Sequence, residues 1–355
     1  MLYNIQLHLS NVVGVGAVQL AKSLLPKLLA NNYANVSTVI LPDRGDLSRF
    51  KSSKSSTNFI VRKRLLPNFL SRFFECIIPH RLPKNTAVLV LGDIPLNTNG
   101  VQTVFLHTPN LVKYFKPSLS IDFFKYRVAQ FIFSKNEKHV SQFIVQTGVM
   151  KDKLEKFYPA VRGRVFVLPQ PVPQWLSKSF VKRTNRVRDG KLHLFYPAAD
   201  YSHKNHLLLS KIDEPEAWPV EQLTLTIDPL KNPDNTWSSI SCVGLINSDQ
   251  MLSFYRSCDA LLFLSNEESF GFPLVEAMFC GLPILCPDLP YARTLCGDEA
   301  IYFEADNVQS LQSAIMELAN RLDAGWWPNW EGALESIPCS WETVAEEMLK
   351  ITTNK

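Results

Sequence analysis

Short apolar runs recur along most of the chain, each followed by a helical or irregular stretch, and this alternation narrows the fold more than any other feature. In the first half the runs stand at Val36 to Leu41, Ala87 to Leu91, Gln102 to Leu106 and Gln142 to Gln146, after an alternating stretch from Leu2 to Leu9. A run that is apolar on both faces suits a strand covered on both sides, as in a parallel sheet with crossover helices. Beyond Asn11-Val12-Val13-Gly14-Val15-Gly16-Ala17, the residues Leu20, Leu24, Leu25 and Leu28 recur at helical spacing. The chain therefore opens as strand, glycine loop and helix, the start of a Rossmann-like domain.

Val165-Phe166-Val167-Leu168 reads as the last strand of that domain. Pro169, Pro171 and Pro173 then stop both helix and sheet, which sets a domain boundary and gives domains at 1–172 and 173–340. The basic stretch Lys178 to Lys191 leads into a second set of strands at Leu192 to Tyr196, Gln222 to Ile227, Ile240 to Leu245, Ala260 to Leu264, Leu282 to Cys286 and Ala300 to Phe303. A final helix is expected over 341–355, with Ser340 as its cap and Trp341, Val344, Ala345 and Met348 along one face. At 355 residues, two α/β domains fit the length.

The apolar fraction of 46% and charged fraction of 20% suit a soluble globular chain and exclude disorder. No run approaches the roughly 20 apolar residues of a membrane span and no secretory leader pattern is seen, so a cytoplasmic location is expected. The seven cysteines show no CxxC spacing, which argues against a zinc site. Charge is divided unevenly: residues 1–170 hold 23 Lys+Arg against 8 Asp+Glu, and residues 171–355 hold 14 against 25. Either the first half meets an anionic partner or the two halves attract one another.

The stretch with most chemical content is Glu268-Ser-Phe-Gly-Phe-Pro-Leu-Val-Glu276, between the apolar run Ala260 to Leu264 and the helical Ala277-Met278-Phe279. It lies on a strand-loop-helix turn. Pro273 is expected at the first helical position, where its missing N–H costs nothing, and Gly271 lets the backbone approach a ligand. Glu276, expected in the first turn, is placed to accept hydrogen bonds from a ribose diol. The structural alternative is that Glu276 only offsets the helix dipole and Glu268 is an ordinary loop residue.

Glu268 to Pro283 resembles the donor-site signature of retaining glycosyltransferases with the GT-B architecture, specifically glycosyltransferase family 4. The resemblance covers most of the chain and is strongest from Leu192 to Phe303. It implies an α/β fold of two Rossmann-like parallel-sheet domains facing each other across a cleft, with the final helix packed back on the first. It also implies transfer of a hexose from a nucleotide-diphosphate sugar, such as GDP-mannose or a UDP-sugar, to a saccharide acceptor that is lipid-linked by expectation. No cofactor, metal or nucleic acid is implied, and no Asp-x-Asp pair occurs to hold a metal-bound diphosphate.

Residue by residue, the resemblance assigns the ribose to Glu276 and the donor hexose to Glu268 and the backbone of Gly271, Phe272, Pro273 and Leu274. Lys204, in Asp200-Tyr-Ser-His-Lys204, resembles the lysine that supports the leaving diphosphate. Many family members carry an arginine five residues before it, where Ala199 stands here. Gly14 and Gly16 resemble the loop that approaches the diphosphate or the acceptor, although Gln19 breaks a full Gly-x-Gly-x-x-Gly. His107, after the run Gln102 to Leu106, resembles a histidine that faces the donor sugar. A solvated lysine and a structural histidine are the plain alternatives for Lys204 and His107.

Phe59 to Lys84 combines arginines and lysines with aromatics, and only Glu75 is acidic. It is a candidate for peripheral membrane contact through an amphipathic helix at Asn68 to Ile78, or an ordinary helix with a basic face. Rival readings are a nucleotide-sugar epimerase, a catalytically silent glycan- or membrane-binding subunit and a nicotinamide dehydrogenase. The last requires the fuller glycine fingerprint.

Overall fold

The computed structural model describes residues 4–51, 57–64, 68–83, 85–115, 117, 119–177, 190–213, 218–234 and 239–353. The chain divides into two compact units, Met1–Pro171 with Pro338–Lys355, and Val172–Ile337. The basic stretch expected at the entry to the second domain falls, up to residue 189, outside the described residues, as do 65–67 and Lys84 of the segment from Phe59.

The first unit is built on seven parallel strands: β1 (Asn4–His8), β2 (Asn35–Pro42), β3 (Asn58–Arg62), β4 (Thr86–Val90), β5 (Val101–Leu106), β6 (Gln142–Val145) and β7 (Val165–Val167). Their order is β3-β2-β1-β4-β5-β6-β7. Val88, Leu89 and Val90 of β4 are all buried, because a central strand with helices on both faces has no wet side. β3 was not expected from the sequence. It lies at the sheet edge and is largely exposed, so burial demands no apolar run of it.

The helices of this unit are α1 (Val15–Ala30), α2 (Asn68–Ile77), α3 (Ile121–Asn136) and α4 (Gly148–Phe157). α1 buries Leu20, Leu24, Leu25 and Leu28, the leucines whose spacing marked it. The last helix of the chain also belongs here. Its start is capped by Ser340, whose hydroxyl accepts from the Thr343 N–H at 3.2 Å, and it buries Trp341, Val344, Ala345, Met348 and Leu349 against α1 and the sheet.

The second unit has six parallel strands: β8 (Leu192–Tyr196), β9 (Val220–Leu225), β10 (Ile240–Cys242), β11 (Ala260–Leu262), β12 (Ile284–Pro287) and β13 (Ile301–Phe303). They are ordered β10-β9-β8-β11-β12-β13. Its helices are α5 (Gln174–Ser177), α6 (Ser248–Ser257), α7 (Phe272–Phe279), α8 (Pro290–Cys296), α9 (Val308–Asp323) and α10 (Glu331–Glu335), and α11 (Trp341–Thr353) is the closing helix in the first unit. Phe195, Leu261, Phe263, Ile284 and Leu285 are fully buried in its core, and buried Trp330 donates to the Leu282 carbonyl at 2.8 Å. Both units are thus Rossmann-like parallel sheets.

Candidate active site

In the second sheet the strand order reverses between β8 and β11, and ligands of open α/β sheets gather at the carboxyl ends of the strands beside such a reversal. Lys204 stands on the loop leaving β8 and Glu268 on the loop leaving β11. The structure brings them into contact: the Lys204 ammonium donates to Glu268 Oε1 at 2.5 Å. Their side chains are 14% and 13% exposed, so water screens the pair far less than a surface ion pair. The ammonium also sits 5.5 Å from the centre of the Phe263 ring.

Both loops are held from beneath and from the side. Buried Tyr196, the last residue of β8, donates its hydroxyl to the Lys204 carbonyl at 2.7 Å. Burial, followed by the charge of Glu268, pushes the Tyr196 phenol well above its ordinary range, so it stays a donor. Across the gap, the Asn266 N–H donates to the His203 carbonyl at 2.7 Å. Asp306, after β13, accepts from the side-chain amides of Asn205 at 3.0 Å and Asn266 at 2.7 Å. Asn205 and Asp306 both adopt positive φ, 57° and 61°, a conformation that asparagine and aspartate tolerate best among residues with a side chain beyond glycine. One carboxylate therefore ties together the loops that present Lys204 and Glu268.

α7 begins at Phe272 with Gly271 as its N-cap at φ 98°, a backbone state that favours glycine. Pro273 is consequently the second helical residue, not the first. Glu276 falls in the second turn, which corrects the expectation that it lies in the first. It is also buried, 7% exposed, and Tyr255 of α6 donates to its Oε2 at 2.7 Å. Burial lifts the Glu276 carboxyl to about 7, with the Tyr255 hydroxyl pulling the other way. Phe272 and Pro273 are partly buried, whereas Gly271 and Leu274 are buried, and a Cβ on Gly271 would come within 3.2 Å of Leu274 Cδ1.

The remaining sequence-predicted residues lie in the first unit, again near a reversal of strand order, between β1 and β4. His107 directly follows β5. Its main-chain N–H donates to Asp93 Oδ1 at 2.8 Å, and its Nδ1 lies 3.2 Å from the same oxygen, so the imidazole sits beside the carboxylate of Asp93, itself at φ 68°. Gly14 and Gly16 are exposed, and a Cβ on either would meet no atom within 4 Å. Neither packing nor positive φ requires glycine there.

A buried charge cluster beside this loop was not anticipated. His8 Nε2 lies 3.3 Å from Glu75 Oε1, and Arg64 reaches Glu75 Oε2 at 3.5 Å, the Ser10 carbonyl at 2.9 Å and the Asn11 side chain. Burial alone would raise the Glu75 carboxyl, but His8, Ser10 and Arg64 outweigh it and hold the group at about 2. Its contribution to stability is thus present above the ordinary carboxylate value and is lost as pH falls toward 2. Arg72 donates to the Gly92 carbonyl at 2.8 Å. Two of the arginines that suggested a membrane face in Phe59 to Lys84 are therefore used internally.

Among the described residues no group of three or more His, Cys, Asp and Glu is placed to hold a metal ion. Likewise no helix there is long and apolar enough to cross a membrane.

Comparison with known proteins adds a family to this geometry. Residues 235–321, which include the Glu268 to Glu276 stretch, match the family model described as glycosyl transferases group 1. The O-antigen chain mannosyltransferase RfbU of Salmonella typhimurium is 22% identical over 248 residues, 65% of this chain and 64% of that protein. A serotype-specific mannosyltransferase WbdA of Escherichia coli is 29% identical over 140 residues, 38% of this chain and 16% of that protein. The chain's match thus spans under two thirds of the length of these relatives. Among solved structures, WaaG, a glycosyltransferase involved in lipopolysaccharide biosynthesis, superposes with a TM-score of 0.63 at 15% identity, covering 99% of this chain and 100% of that one. The fold is thus the two-domain, GT-B type. Within that fold, the segment 235–321 is similar to glycosyl transferases group 1.

Proposed function

We propose that this chain is a retaining, metal-independent glycosyltransferase of family 4 that moves a hexose from a nucleotide-diphosphate sugar to a saccharide acceptor. The observation that carries the reading is the Lys204–Glu268 pair between the loops leaving β8 and β11, next to the glycine-capped start of α7. A diphosphate competes with Glu268 for the Lys204 ammonium, and the released carboxylate accepts from sugar hydroxyls. As the bond between the anomeric carbon and the β-phosphate oxygen breaks, negative charge grows on the phosphate, where a fixed ammonium stabilises it. The leaving phosphate then takes the proton of the acceptor hydroxyl on the same face of the sugar, which preserves the anomeric configuration.

Glu276 accepts from the ribose diol, and the backbone at Gly271 to Leu274 holds the hexose. The first unit is the acceptor side and carries Gly14, Gly16 and His107. Mannose from GDP-mannose is the favoured donor because the relatives are named mannosyltransferases, with a UDP-sugar as the other candidate. The name of the first relative supports O-antigen-type polysaccharide synthesis, and a lipid-linked acceptor at the inner face of a membrane is part of the proposal.

Thermal melting with GDP-, UDP- and ADP-sugars tests the donor site without an acceptor. A ligand at a hundred times its dissociation constant adds roughly 2.7 kcal/mol of stability, a shift of several degrees. One nucleotide class is expected to give it, in the presence of a chelator. An unchanged melt with all three would sink the proposal.

A further inference from the structure

Arg64 and Glu75, with side chains 6% and 4% exposed, are buried charges beside the loop that leaves β1. Glu75 stands on α2, whereas Arg64 follows β3 and reaches across 53 residues of sequence to Asn11. Its guanidinium donates to the Ser10 carbonyl at 2.9 Å and to the Asn11 side-chain oxygen, at the start of the loop that runs to Gly14 and Gly16. The arginine is itself held twice. Its main-chain N–H donates to Asp43 Oδ2 at 2.8 Å, and Glu75 Oε2 lies 3.5 Å from the guanidinium. Glu75 Oε1 in turn faces His8, the last residue of β1, at 3.3 Å and Arg62 at 3.8 Å.

About one turn earlier on the same face of α2, Arg72 grips the loop that leaves β4. It donates to the Gly92 carbonyl at 2.8 Å, just past the end of that strand. Gly92 also abuts the first loop: a Cβ there would stand 2.8 Å from Asn11 Cβ. Asp93 follows, and its carboxylate accepts the main-chain N–H of His107. One helix face thus reaches both loops, the first through Glu75 and Arg64, the second through Arg72. Stability is a poor reason for this arrangement. A buried ion pair usually holds a fold no better than apolar side chains of similar volume, because desolvation offsets the attraction, whereas it can select one arrangement over others. The two loops leave β1 and β4 where the strand order reverses, the place where ligands of open sheets gather.

We infer that Arg64, Arg72 and Glu75 are positioning residues for sugar transfer, which fix the loop of Gly14 and Gly16 against the turn that carries Asp93 and His107. The inference rests on the transfer reading for the use made of those loops. Glu75 acts through Arg64, and each arginine acts through the main chain or side chain it holds, so none of the three touches donor or acceptor.

The test pairs turnover of the full chain with hydrogen exchange along its backbone. Arg64→Met with Glu75→Leu removes both charges and nearly keeps the volume, so the melting temperature should stay close to wild type. Its kcat should still fall by roughly a hundredfold, as misplacing a group by about 1 Å can do. The thermal shift given by GDP or UDP should not change, because Lys204 and Glu276, assigned to the diphosphate and ribose, lie in the second unit. Amide exchange over residues 9–18 and 91–94 should quicken, with the rest of the chain unaltered. Glu75→Gln alone should melt several degrees lower, since Arg64 is then buried without its counter-charge. Wild-type kcat in the stable double variant overturns the inference even if Glu75→Gln is slow, because the cluster then only supports the fold. Unchanged exchange in both segments overturns it as well. If the double variant does not fold, Arg72→Met carries the same two readouts, with exchange read at 91–94. Absence of transfer by the wild-type chain would remove the transfer reading instead, and the exchange result would still decide whether these residues hold the loops.

Discussion

Lys204→Ala is expected to lower kcat for sugar transfer by roughly a hundred- to a thousandfold, the usual cost of removing one fixed group that stabilises charge in the transition state. The melting temperature should change little. Lys204 donates to one carboxylate and its main chain is held independently, through its carbonyl by Tyr196 and through its neighbour Asn205 by Asp306. Losing the lysine does leave Glu268 without its partner in a partly buried site. The double variant Lys204→Ala with Glu268→Gln separates the two effects. If the single variant fails only because an unpaired carboxylate distorts the loop, the double variant recovers turnover. A charge that acts on the leaving diphosphate is not replaced this way, so the double variant should remain at least as slow. Steady-state kinetics beside thermal melts decide it, and near-normal kcat in Lys204→Ala would remove the lysine from the chemistry.

The second large effect is a trade between stability and donor binding at Glu276. Burial lifts its carboxyl from an ordinary value of 4.5 to about 7. A group whose folded-state value is raised binds more protons folded than unfolded between these limits. Its contribution is therefore fully present below about 4.5 and is lost as pH rises through about 7. The charged form costs the folded chain up to roughly 3 kcal/mol at alkaline pH. Glu276→Gln carries no such cost, so it should melt higher than wild type at pH 8 and show little advantage at pH 5. The same substitution should weaken donor binding by about a hundredfold, because hydrogen bonds to a carboxylate exceed those to an amide by up to a few kcal/mol. Ribose hydroxyls donate, so the ionised carboxylate is the binding form, and wild-type affinity should fall as pH drops below about 7. A donor affinity flat from pH 8 to pH 5.5, or an unchanged Gln variant, would remove Glu276 from the ribose.

Strands and their alternation with helices were legible wherever burial left a run of apolar residues, as at Ala260 to Leu262 and Thr86 to Val90. β3 was not, since an edge strand with Asn58 and Arg62 in it has no buried face to mark it. The loop residues Lys204, Glu268 and Gly271 were reachable because a local motif carries them. Their supports were not. Tyr255 is 21 residues from Glu276 and Asp306 is 101 from Asn205, and such pairs exist only once strands have been ordered in a sheet. The burial of Glu276 had the same cause: its motif gave the helix, but which side of α7 faces α6 is a matter of packing. Arg64 and Arg72 show the converse, basic residues that composition assigns to a surface and that β1 and β4 draw inward.

The central claim is transfer with retention from a nucleotide sugar, and the product's stereochemistry tests it most directly. The wild-type chain would be incubated with the donor that raises its melting temperature, an alkyl mannoside acceptor and a chelator, and followed by NMR. The account predicts release of the nucleoside diphosphate and a new glycoside with the α configuration of the donor. A β-linked product, isomerised nucleotide sugar in a donor-only sample, or release that requires added divalent metal would contradict it.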